Sequence, residues 1–283
     1  MKISSYFCKY NVTNLVKTMF GISPQKRETY PSNFLRSVHL RAIYSSTPKC
    51  SEDRNRFIEL FADTMPKVED ASPVKILIGN KGHTIEENKN EHRLVLHSND
   101  MQQEMAFSNE ECSFGVSGDG YKGFDEMRKP YQKALFFAQT CGVHVLNSLM
   151  LRKVNVLQFK AESRTEAFVP IHGAFSQVVE PELLLQYDNL SSINPHIKQS
   201  MQSLVLEENG YELLVKYGFE TIRRENESRS ADGVVIVDLT ISKHQVVMDE
   251  VDRELSIFND ELFSAFRWTV TNNAINQILK NNG

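Results

Sequence analysis

None of the four cysteines, Cys8, Cys50, Cys112 and Cys141, stands in a C-x-x-C pair, and their spacing sets out no metal framework. That spacing predicts free thiols in a reducing compartment, hence a cytoplasmic chain. No apolar run approaches the ~18 residues that a membrane helix needs, so no membrane span is expected. The formal net charge is only -4, which supplies no global attraction to nucleic acid or to an anionic membrane. Tryptophan occurs once, at Trp268, and is expected at the edge of the core. The signatures H-E-x-x-H, G-x-S-x-G and the P-loop are all missing. The eight histidines form no ligand pattern either; His92 and His97, five apart on one predicted strand, point to opposite faces. The sequence therefore predicts no metal and no cofactor.

What is present is ordinary globular material, 41% hydrophobic and 24% charged over 283 residues. Residues 1–29 read as a basic, loosely ordered N-terminal arm: Lys2, Lys9, Lys17, Lys26 and Arg27 occur before the first acid. A sorting signal would need a continuous apolar region and a small-residue cleavage site, which the arm does not have. A basic helix lying on a membrane surface is the alternative.

Beyond the arm, residues 30–160 read as a first α+β half and 161–283 as a second. Strands are predicted at Phe34–Tyr44, Val74–Gly79, His92–His97, Glu104–Val116 (broken) and Leu149–Phe159. A helix carrying Phe57, Leu60, Phe61 and Met65 follows the first strand. Another runs over Phe124–Thr140, with Pro130 as a possible start. In the second half an extended run at 168–179 leads to a short helix opened by Pro181. Asn209-Gly210, between Met201–Leu206 and Tyr211–Ile222, is the clearest hairpin signal in the chain. A strand at Gly233–Ile241 precedes one long helix from Asp249 to about Leu279, roughly 45 Å at 1.5 Å per residue. Its apolar stripe is Val251, Leu255, Phe258, Leu262, Phe266, Val270, Ala274 and Ile278. Each half thus has helix, three strands, helix. This predicts an α+β fold of two similar halves, mainly antiparallel, with long helices packed on one face and a long C-terminal helix closing the structure.

Few residues invite a chemical role. Gly118, Gly120 and Gly123 spell G-x-G-x-x-G between a strand and a helix, the arrangement that lets backbone N–H groups meet a pyrophosphate. However, Asp119 sets a negative charge there and no acid stands about 20 residues on to hold a ribose; a glycine-rich turn reads equally well. Asp238, among Val234–Leu239, either faces solvent or is held by a partner. Arg152 could meet a phosphate or pair with a helix acid, and a pair with Asp238 between the halves is a further option; Asn155, three residues along the same strand, points to the other face. Arg267 and Thr271, on the closing helix, complete the candidate polar site.

Leu151-Arg-Lys-Val-Asn155, the strand Val237-Asp-Leu-Thr240 and the segment Phe263–Asn273 together resemble a sporadically distributed family of uncharacterised prokaryotic proteins of about this length. The resemblance spans roughly residues 30–280, with Lys153 replacing the family's usual aromatic. It implies a bacterial cytoplasmic protein of accessory, defence-associated or mobile genes, and it supplies no reaction. The expectation is a non-catalytic interaction module that binds a protein partner or itself through sheet edges or a groove between the halves. The alternatives are an enzyme or nucleotide- or phosphate-binding protein using a polar cleft, and nucleic-acid binding through the basic arm, Lys153 and Arg223-Arg224.

Overall fold

The computed structural model describes residues 19–25, 34–47, 54–71, 74–79, 82–87, 93–161, 179, 183, 199–223 and 231–271. These form one nine-stranded antiparallel sheet, a separate two-stranded ribbon and three α-helices. In chain order the elements are β1 (Leu35–Tyr44), α1 (Arg54–Phe61), β2 (Lys67–Ala71), the ribbon β3 (Val74–Gly79) and β4 (Gly82–Glu87), β5 (Arg93–His97), β6 (Gln103–Phe107), β7 (Glu111–Ser117) and α2 (Phe124–Thr140). Then follow β8 (Val145–Ala161), β9 (Gln199–Glu208), β10 (Tyr211–Arg223), β11 (Ala231–Val247) and α3 (Val251–Thr269). The fold is therefore α+β, antiparallel and closed by a long C-terminal helix. The strand order is β2-β5-β6-β7-β1-β8-β11-β10-β9. Counted outward from the central β1–β8 pair, β1-β7-β6-β5 faces β8-β11-β10-β9, and each meander ends in a helix.

Local chemistry accounts for most boundaries. Asn209 (φ 52°) and Gly210 (φ 80°) both take positive φ, the turn that matches the twist of a two-residue hairpin. The β5–β6 turn is tied by Asp100, whose Oδ1 accepts from Ser98 Oγ at 2.6 Å and from the Gln102 backbone at 3.1 Å. Pro130 lies inside α2, which runs unbroken from Phe124. β2 and β4 were not expected; the run Lys-Val-Glu-Asp-Ala of β2 has no clean period-two apolar pattern.

The closing helix is shorter than its sequence suggests. It ends at Thr269 after 19 residues, about 28 Å rather than 45 Å. Val270 turns to extended geometry and forms an antiparallel bridge with Val179. The stripe continued through Val270 because that residue is apolar and fully buried, yet it is buried as β-structure. Ala274 and Ile278 lie outside the described residues. So do the run at 168–179 and the Pro181 helix, apart from Val179 and Leu183.

Alternate residues of the inner strands build the core. Val38, Leu40 and Ala42 of β1, Leu149 and Leu151 of β8, and Leu239 and Ile241 of β11 are at most 1% exposed. Against them lie Phe57, stacked on Phe107 at 4.5 Å, and Phe258, edge-on to Tyr211 at 6.2 Å. Tyr131 of α2 donates to the Cys112 carbonyl at 3.4 Å. Helices α2 and α3 are cross-tied: Arg128 reaches Asp252 and Ser256, both at 2.9 Å, and Gln139 reaches Asp249 at 2.9 Å. The partners run in opposite order, so the two helices are antiparallel.

Part of the expected arm packs on this core. Ile22 is buried, Met19 and Phe20 rest against the cluster, and the Met19 backbone N–H donates to Glu261 at 2.9 Å. The thiols also depart from expectation. Cys112 is free and buried, with its pKa pushed up by that burial, but Cys141 is disulfide-bonded.

Candidate functional site

The second set of alternate residues makes the other face of the sheet; Val95, Ala106 and Val234 are buried on it, while its stretch around β1, β7 and β8 carries charge. Arg41 and Arg152 keep 46% and 45% of their side chains exposed there. Arg152 grips Asp238 on the neighbouring strand in a bidentate pair, Nε to Oδ1 at 2.8 Å and an Nη to Oδ2 at 2.7 Å. Arg152 lies opposite Thr240 and Asp238 opposite Val154 in the β8–β11 register. The pair is thus diagonal, a spacing that long side chains bridge. The flat fork of the guanidinium suits both carboxylate oxygens at once.

The rest of the expected polar group does not join it. Asn155 faces the helix side, buried, and its amide donates to the Val237 carbonyl at 3.2 Å. Period-two alternation forces this, because three residues separate it from Arg152. Arg267 sits in the last turn of α3 and Thr271 two residues past its end, across the sheet from the pair. Lys153 is on the helix side too, donating to Asn259 of α3 at 2.5 Å.

The glycine motif is explained by packing. Gly118 and Gly120 form a tight turn after β7, and Gly123 (φ 130°) precedes α2. A Cβ on Gly118 would run into the Leu35 carbonyl, and one on Gly120 would lie 2.7 Å from the Gln102 side chain. These contacts require glycine whether or not a phosphate is bound.

Sequence reading missed the concavity beside the Arg152–Asp238 pair. A trough of about 400 Å³ opens on the polar face over β1, β7 and β8. Ser113, Gly115 and Ser117, alternate residues of β7, supply small side chains along it, and His39, Arg93 and Arg152 line it. Gly115 stands directly opposite His39 in the β1–β7 register. A Cβ there would come within 3.1 Å of the His39 ring nitrogen, so the glycine makes room for the imidazole. Burial, and next the Arg152 charge, hold the His39 pKa below its usual value.

Arginine partners differ around the trough. Arg41 Nε donates to Glu111 at 2.7 Å, and Arg152 is occupied by Asp238. Arg93 has a 3.4 Å contact to Ser113 Oγ and a 3.9 Å approach to Glu111. Its buried Nε meets no acceptor among the described residues, an arrangement that costs about 1–3 kcal/mol if left dry. The available signal was the alternation of His39 and Arg41 with Val38, Leu40 and Ala42 on one strand, and of Ser113, Gly115 and Ser117 with Cys112, Phe114 and Val116 on another.

Among the described residues no group of three or more His, Cys, Asp or Glu could hold a metal, and no helix is long and apolar enough to cross a membrane. The basic residues of the arm and Arg224 lie outside the described set. No protein-family model matches the chain, and no curated protein matches it.

Proposed function

We propose that the chain is a non-catalytic binding module, and that a protein partner or a second copy docks on the open, polar face of its sheet around the trough. The observation that carries this reading is the difference between the faces. One is apolar and closed by aromatic and aliphatic packing; the other presents half-exposed charges already held in place by Glu111 and Asp238. Charges fixed in advance set register and partner choice more than raw affinity. A phosphate- or nucleotide-binding protein or an enzyme is the second reading, favoured by one feature: Arg152 and His39 converge in a single concavity.

The same reading includes two similar α+β units meeting at the β1–β8 pair, with their helices on one face. The mirrored strand order and the antiparallel α2–α3 contact support it. A place in the prokaryotic family named above, and a bacterial cytoplasmic setting, stay part of the proposal; the Cys141 disulfide counts against a reducing compartment.

A benzophenone amino acid at Met150, which lines the trough, or at Phe136, 66% exposed on α2, tests the docking face in cells producing the full chain. Discrete cross-linked species from Met150, and few from Phe136, are expected. The reverse pattern would move the interface to the helices and overturn the proposal.

A further inference from the structure

We infer that the trough is an oxyanion subsite, in which Arg93 and Ser113 receive a carboxylate or phosphate group carried by the docking polypeptide, while the rest of that segment runs over Gly115 toward His39. This rests on the open face being the docking surface and adds what is recognised there.

Three guanidinium groups line the trough, and two are committed. Arg152 gives its Nε and one Nη to Asp238, and Arg41 donates its Nε to Glu111 at 2.7 Å. Arg93 is the one of the three without a carboxylate at hydrogen-bonding distance among the described residues. A guanidinium carries five N–H donors, yet Arg93 makes one long 3.4 Å contact to Ser113 and approaches Glu111 at 3.9 Å, with its buried Nε unmatched among the described residues. An oxyanion supplies two acceptors in the plane of that fork, which is the arrangement arginine prefers. Ser113 can donate a hydroxyl hydrogen to the same group.

The shape of the site fits a segment better than a bare ion. About 400 Å³ matches a side chain with its flanking atoms. Ser113 and Gly115 lie two residues apart on β7, roughly 7 Å, so a ligand anchored at Arg93 continues over the glycine to the imidazole. The groups facing His39 are Arg41 on its own strand, Glu104 on β6, Arg152 on β8 and Asp238 on β11. Glu104 repels an anion at that end and Glu111, 3.9 Å from Arg93, does so at the other; the unmatched Arg93 Nε is what places the charge at the Arg93 end.

Calorimetric titration of the full chain with inorganic phosphate, and separately with acetate, tests the inference in low-salt buffer. Saturable binding of either probe is expected, and the tighter one assigns the group. Arg93→Gln should weaken it on the order of tenfold, and Ser113→Ala about threefold. Lys129→Gln, on the outer surface of α2, should leave it unchanged. Should Arg93→Gln fail to fold by circular dichroism, the Ser113→Ala result decides. Absence of saturable binding by both probes, or binding that survives Arg93→Gln or, failing that variant, Ser113→Ala, overturns the subsite. Cross-linking from Met150 would still stand in that case. If phosphate binds but Met150 gives no cross-link, the docking face fails and the anion site survives.

Discussion

The two faces of the nine-stranded sheet are made by alternate residues of the same strands, yet they handle charge in opposite ways. On the helix side the ionic groups are few and sealed. Glu254 is fully buried and takes hydrogen bonds from Tyr211 at 2.6 Å, Arg253 at 2.9 Å and Lys243 at 3.0 Å. On the open side Arg41, Arg93 and Arg152 are about half-exposed, while the acids that balance them, Glu111 and Asp238, are largely covered. Polar groups on the first face anchor α3 to the sheet, where removing one strands another without water. The arginines on the second face stay hydrated when a partner leaves. The contrast separates residues kept for stability from residues available for binding.

The largest effect should come from the sealed side. Lys243→Met leaves the Glu254 carboxylate with Tyr211 and Arg253 only, and roughly 2–4 kcal/mol should be lost in urea denaturation at neutral pH. Burial alone would push the Glu254 pKa up, but hydrogen bonds from Tyr211, Arg253 and Lys243 outweigh it and hold the value below the usual carboxylate range. The stability that this group supplies is therefore complete above that range and is lost as pH falls through the depressed folded value. The variant should show a shallower acid limb; an unchanged limb would mean that Glu254 is not the group responsible.

A smaller effect belongs to the open side. Asp238→Asn removes the charge from a pair whose arginine stays half in water, so about 1 kcal/mol is expected. A loss as large as that of Lys243→Met would erase the distinction between the faces.

The smallest effect is one of pH alone. The His39 pKa is lowered by burial and by Arg152, so the folded chain resists protonating it while the unfolded chain does not. Stability should be full above pH about 6.5 and decline as pH falls through the folded value. His39→Asn should flatten the stability profile in that interval, as followed by thermal melting. A profile identical to that of the parent would place the imidazole in open solvent.

Much of the scaffold was legible because its signals are short-range. The Asn209-Gly210 turn, the limits of α2 and the opposite aim of Arg152 and Asn155 follow from backbone dihedrals and from a period of two or 3.6 residues. Strand β2 was hidden, since a charged five-residue edge strand has little apolar pattern to show. The end of α3 was hidden for a different reason. Val270 is as apolar as the helical stripe before it, and only its bridge to Val179, ninety-one positions earlier in the numbering, turns it into strand.

Composition and periodicity by themselves determined the α+β class and the antiparallel meanders. Strand order decided the rest. The trough draws Arg93 from β5, Ser113 and Gly115 from β7, His39 from β1 and Arg152 from β8, and no local rule says that β7 lies beside β1 or β1 beside β8. That neighbourhood is set by burying the apolar side chains of alternate strand positions, a long-range gain that must exceed the entropy of closing the loops between them.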